Sequence, residues 1–117
     1  MTRSDQDLID QYRRFVRFVK TERVVWGLES EDGWATAASG THADRTVMLF
    51  WSHKTYARRM ANDEWTDSRP MPINLDKFVN RWLKGMQEDG YLVGLNWHSD
   101  QLGQEVEPTI LFKDLNT

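Results

Sequence analysis

The stretch Thr46-Val47-Met48-Leu49-Phe50-Trp51-Ser52-His53 decides the fold class. Successive strand residues point to opposite sides of a sheet. A run that is apolar from Val47 to Trp51 therefore leaves its strand without a polar face, and such a strand belongs in the middle of a covered sheet. The run is also too short to cross a membrane. Ser52 reads as the N-cap of a helix from His53 to about Asp63, with Tyr56, Ala57, Met60 and Ala61 turned to the core.

Working outward, Val24 to Leu28 reads as a strand, and Asp32-Gly33 turns it into a hairpin that returns through Trp34 to Ala37. Ahead of it, Leu8, Tyr12, Phe15 and Val19 recur at helical spacing, from about Asp5 to Thr21, with Ser4 as cap. Downstream, Pro70 and Pro72 make residues 66–73 an extended edge segment. Asn74 caps a third helix with an apolar stripe of Leu75, Phe78, Val79, Trp82, Leu83 and Met86, and Gly90 stops it. Tyr91, Val93, Leu95 and Trp97 alternate as a strand with one face of large residues, and Ser99 to Gln104 is a turn. Glu105-Val106-Glu107 is a last strand. Pro108 opens a short helix to Leu115, with continued strand over Thr109 to Phe112 as the alternative. The expectation is one α+β domain over residues 1–117, its core spanning about residues 5–115. Short loops favour antiparallel pairing, so the sheet is expected to be mainly antiparallel, with four to six strands and about three helices packed mostly on one face.

The 117 residues are 39% apolar and 28% charged, ordinary for a soluble globular protein. The absence of cysteine excludes disulfides, thiolate catalysis and thiolate metal sites. The charged beginning of the chain has no apolar signal stretch, and a cytoplasmic location is expected. A net charge of −3 argues against a polyanion binder. Charge is unevenly placed, however. Arg13, Arg17 and Lys20 share one stripe of the first helix. Lys54, Arg58 and Arg59 form a second basic cluster, and Glu105, Glu107 and Asp114 make the tail acidic. Solvated helix faces explain this plainly; an electrostatic docking surface is the sharper reading. No nucleic-acid or membrane partner is expected.

Six tryptophans, at positions 26, 34, 51, 65, 82 and 97, are many for this length. Trp82 falls on a helical core stripe, and Trp26 is in phase with Val24 and Leu28. Trp34, Trp51, Trp65 and Trp97 sit at element ends, where a side chain is either partly buried with its N–H satisfied or exposed as an anchor. In the second case Trp51, Trp65 and Trp97, with His53 and Tyr56, form an aromatic patch for a protein partner. Lys54, Arg58 and Arg59 then make its charged rim.

Catalytic signals are sparse. Ser52-His53 is the one neighbouring nucleophile–base pair, and a capping serine beside an exposed histidine explains it. His42 and His98 stand apart, no His-x-x-x-His occurs, and Glu29, Glu31 and Asp32 belong to a turn. Phosphate-binding glycine motifs are missing. No catalytic residue, cofactor or metal is assigned.

Four stretches, in order, carry a family resemblance. They are Val25-Trp26-Gly27-Leu28 with Asp32-Gly33-Trp34-Ala35; Leu49-Phe50-Trp51-Ser52-His53-Lys54 with Tyr56-Ala57; Leu75-Asp76-Lys77-Phe78 with Trp82-Leu83; and Asp89-Gly90-Tyr91-Leu92-Val93-Gly94. Together they resemble the uncharacterised bacterial family called domain of unknown function 2750, over roughly Leu8 to Leu115. The layout is more distantly similar to the N-terminal domain of the enhanced-serine-sensitivity protein and its immunity-protein-like relatives. The resemblance implies no activity, substrate or catalytic residue. The functional expectation is a non-enzymatic protein-binding or adaptor module, with an immunity role as one version and a homodimer also compatible. The alternative is a small-ligand binder or enzyme using a cleft near His53 and the strand ends.

Overall fold

The computed structural model describes residues 5–62, 65–98 and 103–116. The expected cap at Ser4, the end of the second helix at Asp63 and most of the turn from Ser99 to Gln104 lie outside the described residues. The fold is α+β. Its helices are α1 (Asp5–Glu22), α2 (Lys54–Met60), α3 (residues 75–89) and α4 (Pro108–Leu115). Its strands are β1 (Val24–Ser30), β2 (Gly33–Trp34), β3 (Thr36–Ala38), β4 (Thr46–Phe50), β5 (Arg69–Asn74), β6 (Leu92–Leu95) and β7 (Gln104–Val106).

The strands divide into two sheets, in the orders β2-β1-β5 and β3-β4-β6-β7, where the sequence reading expects one. A few shared residues join them. Ala35 donates its N–H to Leu28 in the first sheet and accepts from Leu49 in the second. Trp26 and Trp51 exchange backbone hydrogen bonds of 2.8 and 2.7 Å. The hairpin thus returns beside β1 for two residues and then crosses to β4.

β4 is central, as its apolar run implies: Val47, Leu49 and Phe50 are all buried. It pairs antiparallel with β3 and parallel with β6, Val47 opposite Leu92 and Phe50 opposite Leu95. This parallel pair departs from the antiparallel expectation. The connection from β4 to β6 runs through α2, β5 and α3, long enough for a crossover.

One core contains Phe15 and Val19 of α1, Phe78, Leu83 and Met86 of α3, Leu111 of α4, and Phe50 and Val93 from the sheet. The other contains Ala57 and Met60 of α2 with Leu28, Leu49, Trp51 and Trp97. Three helices therefore share one core and α2 packs into the other. Burial on both sides also corrects the reading of β6 as a strand with one large-residue face: all four of its residues are buried. A Cβ on Gly94 would stand 2.7 Å from both Leu49 and Val47, so only glycine lets the indole of Trp97 and the β4 side chains close over it.

Asn74 caps α3 as expected, accepting from the N–H groups of Asp76 and Lys77. The helix contains one wide turn, Phe78–Trp82, in which Leu83 donates to the Phe78 carbonyl five residues back. Next to this turn Trp82 stands edge-on to Trp34 at 4.7 Å and to Phe50 at 5.8 Å.

Candidate functional site

The parallel pair sets the site. β4 and β6 end side by side, and the crevice outside the carboxyl ends of parallel strands is where α/β sheets commonly take ligands. Here β4 leads into Trp51-Ser52-His53 and β6 into Asn96-Trp97-His98. A cleft of about 480 Å³ opens at this edge, walled by Arg14 and Phe18 of α1 and by Tyr56 and Arg59 of α2.

Asn96 joins the two strand ends. Its backbone has φ +55°, a left-handed conformation that asparagine tolerates better than most residues. Its N–H donates to the Phe50 carbonyl at 2.9 Å. Its side-chain oxygen accepts from the Ser52 N–H, also at 2.9 Å. That backbone donor fixes the amide orientation and turns the Asn96 NH₂ toward the Ser52 hydroxyl, at 3.2 Å. The Ser52 proton then goes to its nearest acceptor, His53 Nδ1, at 2.7 Å, in preference to the Asn96 oxygen at 3.4 Å. A neutral imidazole that accepts at Nδ1 carries its proton on Nε2. The chain of donors from Asn96 through Ser52 thus makes the second imidazole nitrogen a donor.

The structure corrects the reading of Ser52. It is not a helix cap: His53 occupies the cap position of α2, and its side chain makes no capping bond. Ser52 is 2% exposed, so its hydroxyl orients His53 from below and is not presented to solvent as a nucleophile. His53 is half-buried, with its ring stacked on Phe18 at 3.9 Å and 26°. Tyr56 lies 4.4 Å from His53 and 6.2 Å from His98, so the histidine that stands alone in sequence joins the same aromatic wall.

The expected aromatic patch does not assemble. Trp51 is fully buried, and its indole donates to the Trp97 carbonyl at 2.9 Å. Trp97 is 3% exposed and donates to the Gln104 carbonyl at 3.1 Å. Both rings fill the second core because a strand end beneath α2 is an interior position. Trp65 is half-buried and lines a separate depression beside the hairpin turn. Lys54 extends over the Trp26 ring, 5.8 Å from its centroid, and Arg58 is exposed outside the cleft. Of the eight residues expected at the site, His53, Tyr56 and Arg59 line the cleft together.

Sequence reasoning missed Arg14, Phe18, Asn96 and His98. Arg14 sits off the Arg13-Arg17-Lys20 stripe, and Asn96 follows an ordinary strand, so neither stands out. Among the described residues, the lining carries two guanidinium groups and two imidazoles and no carboxylate. Neither Arg14 nor Arg59 has an ion-pair partner among the described residues. Also among the described residues, no three His, Asp or Glu side chains converge as metal ligands would, and no helix is long and apolar enough to cross a membrane. A family model described as protein of unknown function (DUF2750) matches residues 12–115. No curated protein and no solved structure matches.

Proposed function

We propose that this chain, which belongs to the DUF2750 family, binds a small anionic ligand with a planar group in the His53 cleft. The observation that carries this reading is the convergence of Arg14, Arg59 and the oriented His53 at the carboxyl ends of β4 and β6, with no carboxylate lining the cleft among the described residues. Guanidinium groups recognise phosphate or carboxylate through paired hydrogen bonds. The Nε2–H of His53 adds a directed donor. The wall of Phe18, His53, Tyr56 and His98 offers ring faces to a planar group. About 480 Å³ suits a small metabolite. The role is binding, because the hydroxyl beside the imidazole is buried and already bonded on both sides. A protein-binding patch built on Trp51 and Trp97 loses its support, since neither ring reaches the surface.

The test is an amide NMR titration with inorganic phosphate, mononucleotides and aromatic carboxylates. The expected result is saturable shifts confined to residues 11–18, 52–59 and 96–98. Arg14→Ala and Arg59→Ala should each weaken binding about tenfold, the loss of one charge-assisted contact. No saturable shift with any of these probes at millimolar concentration would sink the reading.

A further inference from the structure

We propose that a second surface, the groove between α1 and α4, is a docking site for an acidic amphipathic helix of another protein. It is independent of the His53 cleft. Two depressions of about 740 and 520 Å³ adjoin at Ile9 and Tyr12, which line both. The larger follows α1 from Ile9 to Thr21, a length of about 18 Å at the helical rise.

The walls differ in chemistry. Arg13, Arg17 and Lys20, spaced by four and three residues on α1, line one side with positive charge. Ile9, Tyr12, Val16 and Ile110 supply apolar surface. Ile9 is 44% exposed and Ile110 53%; with Phe112 at 37%, three of the four large apolar side chains exposed among the described residues lie on these two helices. Such surface is costly to leave in water and marks interaction sites. Among the described residues, two carboxylates also line the depressions, so the three cations leave a net positive charge there. Asp114 accepts the Tyr12 hydroxyl, and Glu105 accepts from Ser39, Gly40 and Thr41.

A cationic wall beside an apolar floor is complementary to an occupant with an acidic and an apolar face, the pattern of a helix laid in a groove. The floor disfavours a nucleic acid, whose phosphates would lie against Ile9 and Ile110 and gain nothing from them.

The experiment is fluorescence anisotropy with four labelled probes. The first is a peptide of about 14 residues, enough helix to span the groove, with leucines at helical spacing and glutamates elsewhere. The others are its lysine-for-glutamate counterpart, its scramble and a single-stranded DNA oligonucleotide. The glutamate peptide should bind saturably, and the lysine peptide and the scramble about tenfold more weakly or less. The double variant Arg13→Glu with Arg17→Glu should lose about tenfold toward the glutamate peptide and gain affinity for the lysine peptide. Ile9→Ser should weaken the glutamate peptide, while His53→Ala should leave it unchanged. In the unaltered protein, peptide-induced amide shifts should fall on residues 9–20 and 104–114. Absence of binding, equal binding of the scramble, shifts elsewhere, or tighter binding of the oligonucleotide would overturn the proposal.

Discussion

Asn96 shows how much of the site depends on one side chain. It bonds a buried backbone N–H, supports the hydroxyl that orients His53, and holds a left-handed backbone. Alanine would leave the Ser52 N–H unsatisfied, at about 1–3 kcal/mol, and would pay about 1–2 kcal/mol for its φ. Asn96→Ala is therefore expected to lower the melting temperature by about 12 °C. In the same variant, ¹⁵N NMR should show His53 as a mixture of tautomers. An unchanged tautomer would mean that Ser52 alone orients the ring. Little of this was legible in the sequence. A serine before a helix ordinarily caps it, and nothing local marks an asparagine 44 residues away as its partner. Trp51 and Trp97 misled for a related reason: an element end reads as a rim until the helix covering it is known.

At the scale of elements, the edge strand β5 explains how the first sheet stops growing. Trp26 and Leu28 turn their backbone groups toward Trp51 and Ala35. Their partners across the pair, Pro72 and Pro70, therefore face the open edge with their nitrogens. With no N–H at either position, that edge offers too few donors to another strand. Replacing both, Pro70→Thr with Pro72→Thr, is expected to produce concentration-dependent association in analytical ultracentrifugation, absent in the parent at the same concentration. Elements such as this were readable because their causes are local: two prolines make an edge, Asn74 makes a cap, helical spacing makes α1. The parallel register of β4 and β6 was not, because it is set by packing between segments that α2, β5 and α3 separate.

For the whole molecule, two carboxylates couple stability to pH. Burial opposes the charge of Glu105 most strongly, but donors from Ser39, Gly40 and Thr41, with His42 nearby, outweigh it and lower its pKa. Hydrogen bonding from Arg45 lowers that of Glu107, against a smaller opposing effect of burial. A carboxyl with a depressed folded pKa stabilises the fold above its unfolded value, about 4.3, and that contribution is lost as pH falls through the folded pKa. Stability should thus fall below about pH 4.3, with the loop from Ser39 to Arg45 released first, as read by amide exchange at His42. Glu105→Gln should flatten this acid limb, and an unaltered limb would remove Glu105 from the account. The parallel pair of β4 and β6 also governs when the cleft comes into being. The β1–β2 hairpin closes over a few residues, whereas the contact of Ser52 with Asn96 spans 44 residues and closes a far longer loop. A nascent chain made as far as Trp82 carries Ser52 and His53 but not Asn96 or His98. Most of the cleft wall is therefore made early, but the Asn96 bridge that orients His53 joins it only once β6 has been synthesised.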